Sequence, residues 1–161
     1  MPDLLSQFKT ALKAATASHY KRLVANVADL YGYSLFSDDG LSSIGPVANR
    51  ESALKKPKSD PMYNYYRYLA VEWSDWNDFG MFDDVNAILK KIHEESPTEL
   101  ERVLPTCLDV LAELDDEGVF GQRTDDRFIV ICLSDSDNVI MMESAKRLNT
   151  ETAFAEYAGE F

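Results

Sequence analysis

The residues of this sequence that could do chemistry are the carboxylates of two acidic turns. An aromatic run ends at Asp38 and Asp39, and the apolar run ICL is followed by residues 134–137. Carboxylate oxygens bind Mg²⁺ and Ca²⁺, and a bound cation can assist phosphoryl transfer or hydrolysis. The carboxyl ends of parallel neighbouring strands meet at one sheet edge. If the two runs are such strands, one acidic cluster forms from Asp38, Asp39, Asp135 and Asp137.

Both turns also have a purely structural interpretation. Asp39 and Gly40 lie between two apolar runs, and Asp-Gly there predicts a hairpin because glycine readily adopts positive φ. Residues 134–137 join a strand to a helix, where Asp or Ser caps the first turn. The calcium-loop pattern fails because Val139 occupies its third Asp/Asn position and Ile140 its glycine position. We therefore predict no metal and no other cofactor, and keep a metal-assisted hydrolase using the four aspartates as an alternative.

The other residues suited to catalysis form no known catalytic pattern. The sequence has two histidines and two cysteines, and it contains no HExxH, CxxC, GxSxG, GxxxxGK[ST] or GxGxxG motif. His19 lies on the apolar stripe of the first helix, so we predict a packed ring bonded to a carbonyl. Cys107 lies on another apolar stripe and is predicted to be buried. We assign no catalytic residue.

Charge and composition argue against several classes of partner. The formal net charge is −12, from 28 acidic against 16 basic residues, and such a surface repels nucleic-acid phosphates and anionic lipid. No apolar run approaches the roughly 18 residues of a membrane-spanning helix, and the N-terminus lacks signal-peptide features. Two cysteines do not make a disulfide framework. We predict a cytoplasmic protein that binds neither nucleic acid nor membranes.

Aromatic and acidic residues are concentrated between residues 63 and 82. Tyrosine and tryptophan are favoured anchors at protein interfaces, and the acidic part of the segment would attract a basic protein partner. The predicted partner-binding residues are Glu72, Trp73, Asp75, Trp76 and Asp78. The alternative is a small-ligand pocket lined by Tyr66, Tyr68, Trp73 and Trp76.

Hydrophobic periodicity predicts the elements that position these residues. Apolar residues at spacings of three and four predict helices, and β-branched or aromatic runs predict strands. The predicted helices cover residues 3–24, 82–92, 96–117, 138–148 and 151–158. The predicted strands cover residues 30–37, 43–48, 66–72 and 128–133. The last of these is apolar throughout, so we predict that it is the central strand.

These elements predict a single domain of the α+β class over residues 1–161. We expect a central, mostly antiparallel sheet of about four strands, flanked by the N-terminal helix and the C-terminal helices. A chain of this length can bury most of its apolar surface without disulfides or metals.

Several stretches of the sequence resemble a known family. They are LYGYSLFSDDGLSSIGPVANRES near the start, YYRYLAVEWSDW in the middle, and DEGVFG with ICLSDSDNVIMMESAKRLN near the end. They are similar to a bacterial family known as domain of unknown function 4303 (DUF4303), and they span nearly the whole chain. The resemblance implies one α/β domain in the bacterial cytoplasm. Because no activity is established for that family, it implies no catalytic residue.

The leading hypothesis is a non-catalytic acidic domain that binds another protein. The charge of −12, the modest size and the aromatic-acidic segment are typical of an immunity or inhibitor-type protein that blocks a basic partner. The metal-assisted hydrolase and the small-ligand-binding domain are the two alternatives. The sequence leaves the oligomeric state open.

Overall fold

The computed structural model describes residues 2–160. Its helices and strands are α1 (Leu4–Asn26), β1 (Leu30–Asp38), β2 (Gly45–Arg50), α2 (Tyr63–Tyr68), α3 (Asp83–Glu95), α4 (Val103–Asp116), β3 (Phe128–Ser134), α5 (Val139–Leu148) and α6 (Glu151–Ala158). Short 3-10 turns occupy Glu51–Ala53, Ala70–Glu72 and Pro97–Arg102. Within the described residues, no helix combines the length and the apolar character needed to cross a membrane.

The sheet places β1 in the middle, in the order β2–β1–β3. β1 runs antiparallel to β2 and parallel to β3, and Phe36 of β1 lies opposite both Gly45 and Cys132. The mixed α/β character is confirmed. The expected sheet of about four mostly antiparallel strands is wrong, because residues 2–160 form a three-stranded sheet in which β3 pairs in parallel. The long helical connection between β2 and β3 makes that parallel pairing feasible.

The predicted strand at residues 66–72 is helical instead. α2 and the turn at Ala70–Glu72 occupy this segment, and Asp60 stabilises the preceding turn by accepting the backbone N–H of Met62 at 2.8 Å. The helical turn buries Arg67, whose guanidinium donates to Glu51 at 2.9 Å and lies 4.2 Å from the ring centre of Tyr31. These tertiary contacts outweigh the β-propensity of the tyrosines.

Both edges of the sheet are covered. The prediction that β3 is the central strand is wrong, because β3 lies at one edge of the sheet. The backbone N–H and carbonyl groups on its outer side form hydrogen bonds with side chains that come later in the chain. Asn149 binds the N–H and the carbonyl of Ile129 at 2.9 and 2.7 Å, and Ser144 accepts the next outward N–H. At the other edge, Ala48 exchanges two backbone hydrogen bonds with Asp75. β3 is apolar on both sides because helices and turns cover both of its faces.

Each face of the sheet packs against its own apolar cluster. On one face, residues of α1, α3 and α4 pack against Tyr33, Leu35, Ile129 and Ile131. On the opposite face, which we call the second face, Tyr68, Trp73 and Tyr157 pack against Val47, Phe128 and Val130. The second cluster is smaller, and it leaves part of the sheet open near the carboxyl ends of β1 and β3.

The predictions for His19 and Cys107 are confirmed. His19 is 1% exposed, its Nε2–H donates to the carbonyl of Asn77 at 2.8 Å, and its Nδ1 accepts the Tyr33 hydroxyl at 3.0 Å. Cys107 is 1% exposed, and burial raises the pKa of its thiol to about 12. Neither side chain faces solvent, so neither is placed to act on a substrate.

Candidate functional site

The two acidic turns lie at the same end of the sheet. β1 and β3 are parallel neighbours, and Asp38 stands opposite Ser134 in their register. The Asp38 carboxylate accepts the backbone N–H of Ser42 at 2.9 Å and also binds the Ser42 hydroxyl. These hydrogen bonds lower the pKa of Asp38. Asp38 therefore stabilises the hairpin turn. The predicted positive φ at Gly40 is wrong, because Leu41 takes the positive φ of this turn, at 55°.

The other three aspartates of this end are exposed. Asp39, Asp135 and Asp137 face solvent, and Asp135 has a positive φ of 48°. Within residues 2–160, none of them forms an ion pair with a basic side chain. Residues 2–160 also contain no group of three or more His, Cys, Asp or Glu side chains arranged to hold a metal ion. Asp39, Asp135 and Asp137 therefore carry negative charge without an ion-pair partner in the described part of the chain.

A cleft opens on the second face beside the Asp135 turn. We call it the β3 cleft; its volume is about 240 Å³. It is lined by Tyr68, Leu69, Ala70, Val71, Val130, Cys132, Leu133, Ser134, Asp135, Ser136, Met141 and Tyr157. Its lining is mainly apolar, and its polar side chains are concentrated in the turn that carries Asp135. Burial raises the pKa of the Cys132 thiol to about 11, although the backbone amide of Val71 acts in the opposite direction.

Trp76 is exposed beside the same end of the sheet. It is 45% exposed, and its ring packs edge-on against Phe36 with 4.9 Å between ring centres. Phe36 and Cys132 are opposite each other in the parallel ladder, so their side chains lie on the same face of the sheet. Trp76 and the β3 cleft therefore border one surface, which also carries Asp135.

The predicted partner-binding residues have different environments. Trp73 is 2% exposed, and its indole N–H donates to the carbonyl of Arg67 at 3.0 Å. Asp75 pairs with Arg50 at 3.0 Å, and Glu72 pairs with Lys55 at 3.0 Å.

Trp76 and Asp78 are the members of the predicted set whose side chains are not held by an ion pair or by the core. The Asp78 carboxylate accepts the N–H of Gly80 at 2.9 Å, so it also stabilises its own turn. The aromatic-acidic segment thus contains residues that stabilise the fold and residues that are available to a partner.

The aromatic side chains proposed to line a ligand pocket do not share one cavity. Tyr68 lines the β3 cleft, whereas Trp73 fills the core and Trp76 lies outside the cleft. Tyr66 packs against Tyr65. Sequence reasoning missed Cys132, Val71 and Tyr157 as lining residues. The alternation of β3 places Val130 and Cys132 on one face, but no local signal indicates that the distant Val71 and Tyr157 approach them.

The fold and the site define an α/β protein with a mixed three-stranded sheet and a cleft at the carboxyl end of its parallel pair. The chain belongs to the family described as domain of unknown function DUF4303, whose model matches residues 12–150. This match confirms the resemblance noted in the sequence. Comparison with curated proteins and with solved structures gave no match.

Proposed function

We propose that this chain is a non-catalytic, acidic domain of the immunity or inhibitor type that binds a basic protein partner. The proposed binding surface, which we call the acidic end, consists of Trp76, Asp39, Asp135 and Asp137. The observation that carries the proposal is an exposed tryptophan packed on Phe36, at the same end of the sheet as three exposed aspartates that have no ion pair within residues 2–160. The proposed location is the cytoplasm, where the free thiols Cys107 and Cys132 would stay reduced.

Charge supports a basic partner. The net charge of −12 produces a long-range field that repels anions and accelerates association with cations. Exposed carboxylates without ion pairs keep their full attraction for a partner, whereas carboxylates that are already paired contribute less. The acidic end combines such unpaired carboxylates with an exposed aromatic side chain, which is why we propose it as the docking surface for a cationic protein.

Trp76 supports the same surface because its ring is already held in place. The indole N–H donates to the Trp73 carbonyl at 2.7 Å, and Phe36 packs against the ring at 4.9 Å between centres. An anchor whose conformation is fixed before binding loses little entropy when the partner docks. Tryptophan is also among the residues most enriched at energetic centres of interfaces.

The test uses the immobilised protein to capture partners from an extract of the cells that produce it. Captured proteins are identified by mass spectrometry, purified and measured by titration calorimetry at low and moderate salt. We expect a basic protein whose affinity falls at least about tenfold with Trp76→Ala, a loss typical of an interface centre. The triple variant Asp39→Asn/Asp135→Asn/Asp137→Asn should weaken binding most at low salt.

Matched variants keep this experiment specific. Val24→Ala removes another large exposed apolar side chain, 49% exposed on α1, and should leave the affinity unchanged. The control Asp116→Asn/Asp126→Asn neutralises two exposed carboxylates that precede β3 in the chain, whereas the acidic end follows it. This control should leave the affinity unchanged. If all variants bind the partner equally, or if the captured protein is acidic, the proposal is wrong.

A metal-assisted hydrolase is the second candidate. The parallel pairing of β1 and β3 favours it, because it brings both acidic turns to one end of the sheet. Thermal unfolding with and without millimolar Mg²⁺, Mn²⁺ or Ca²⁺ tests this candidate, since a ligand at 100 times its dissociation constant stabilises by about 2.7 kcal/mol. A rise in midpoint that disappears in Asp135→Asn would favour the hydrolase over the binding domain.

A further inference from the structure

We propose that the β3 cleft binds a lysine side chain of the basic partner. The methylene stem would lie against Val71, Val130 and Cys132, and the ammonium group would lie at Asp135. The identity of the molecule that carries the lysine rests on the proposed function. The preference of the cleft for an alkylammonium group does not, because it follows from the lining of the cleft alone.

The size of the cleft suits a side chain. Pockets for drug-sized ligands span roughly 300–1,000 Å³, and the β3 cleft measures about 240 Å³. Lysine carries its charge on an unbranched, flexible four-carbon stem. Such a stem can enter a narrow apolar cleft while its charged end stays at the mouth.

The lining of the cleft has two chemically distinct parts. Val71 and Val130 are apolar, and the raised pKa of Cys132, about 11, keeps that thiol neutral near pH 7, so the stem would meet uncharged surface. Ser134, Asp135 and Ser136 form the polar part of the lining, and the Ser136 hydroxyl already accepts the backbone N–H of Asn138 at 3.0 Å. A fully apolar side chain would gain nothing from the Asp135 carboxylate, which is exposed and stays hydrated.

An ammonium group matches these oxygens in number and in charge. It has three donors and no acceptor. The Asp135 carboxylate, the Ser134 hydroxyl and the remaining lone pair of the Ser136 hydroxyl, which already accepts Asn138 N–H, offer acceptors for them. Asp135 makes no ion pair with a basic residue within residues 2–160, so its charge is available. A charge-assisted hydrogen bond to it is stronger than one between neutral groups.

Cys132 provides a direct readout of occupancy, because its thiol lies in the cleft and is partly exposed. The experiment measures the rate at which iodoacetamide modifies Cys132 in the folded protein at mildly alkaline pH, by mass spectrometry. The probes are amide-capped lysine and amide-capped norleucine, which has a similar apolar stem and no ammonium group. Cys107 is buried, so its modification would report unfolding.

We expect capped lysine to slow modification about threefold when its concentration is about twice its dissociation constant. Capped norleucine should slow it much less. Asp135→Asn should remove the advantage of lysine, whereas Asp39→Asn, a matched change outside the cleft lining, should preserve it. Equal protection by both probes, or protection by neither, would overturn the proposal. Stronger protection by capped arginine would also overturn the choice of lysine.

The proposed function and this inference can fail separately. Trp76→Ala should weaken partner binding at least about tenfold and leave the protection of Cys132 by capped lysine unchanged, because Trp76 does not line the cleft. If capped lysine protects Cys132 but no basic protein is captured, the cleft binds an ammonium group and the proposal that a protein partner supplies the lysine is wrong. A captured partner that still binds Asp135→Asn with unchanged affinity would support the binding domain and overturn the lysine contact.

Discussion

Trp73 and Trp76 are both tryptophans of one short segment, but they have opposite roles. Trp73 is 2% exposed and lies against the centre of the sheet, whereas Trp76 is 45% exposed at its end. The same composition and the same neighbourhood in sequence therefore produce one core residue and one candidate anchor. An aromatic-rich segment in a sequence therefore indicates a region of core packing or binding, but it does not indicate which of its rings is exposed to solvent.

The path of the backbone explains the difference. Between the two rings, Asp75 pairs with Ala48 on the outer edge of β2, so the segment runs along the sheet rather than over it. Trp73 precedes this contact and turns onto the second face, where its ring contacts Gly32 and Phe128. Trp76 follows it and reaches Phe36, a partly buried residue that packs against the second cluster.

The largest expected effect tests the two tryptophans directly. Trp73→Ala should lower the free energy of unfolding by about 3–5 kcal/mol, because it leaves a cavity between the sheet and α2. Trp76→Ala should change it by less than about 1 kcal/mol, since its ring is partly solvated. Urea unfolding followed by circular dichroism measures both. Equal losses in the two variants would contradict the assignment of Trp73 to the core and Trp76 to the surface.

Gly32→Ala tests the same contact from the other side. A Cβ on Gly32 would lie 2.8 Å from the Trp73 ring, whereas a Cβ on Gly45 would have no atom within 4 Å. We expect Gly32→Ala to destabilise by about 1–3 kcal/mol through overpacking, and Gly45→Ala to have a smaller effect. In a double-mutant cycle, Trp73→Phe should relieve part of the cost. If the stability losses of Gly32→Ala and Trp73→Phe simply add in the double variant, the Trp73 ring is not what excludes a side chain at position 32.

The smallest expected effect concerns the loop that follows Trp76. Burial lowers the pKa of His19 below its ordinary value of 6.5, although the Asn77 carbonyl and Asp78 oppose this shift. Below pH 6.5 the unfolded chain therefore binds more protons than the folded chain, and stability falls as pH decreases toward the folded pKa. The loss is about 1.4 kcal/mol for each unit of difference.

Urea unfolding between pH 7 and 5 measures this contribution against His19→Gln, which has no titrating group. The difference in unfolding free energy between wild type and variant should shrink as pH decreases. If the difference in unfolding free energy between wild type and His19→Gln stays constant from pH 7 to 5, the His19 ring has the same pKa in the folded and the unfolded protein.

Sequence reasoning predicted features that depend on local periodicity and turn chemistry. The helix at residues 138–148, the run at 128–133 and the Asp-Gly hairpin appear as α5, β3 and the β1–β2 connection. Burial of His19 and Cys107 followed from the same periodicity. Sequence reasoning failed at residues 66–72, where the aromatic composition favours a strand but the buried contacts of Arg67 favour a helical turn.

The sequence by itself determined the net charge of −12, the family, most of the helices and the two acidic turns. Only the tertiary structure decided that β3 pairs in parallel with β1, that Trp73 is buried while Trp76 is exposed, and that Val71 and Tyr157 meet at Cys132. The reason is physical. Helices and turns follow from interactions between residues a few positions apart, whereas strand order and cleft walls follow from contacts between segments far apart in the chain.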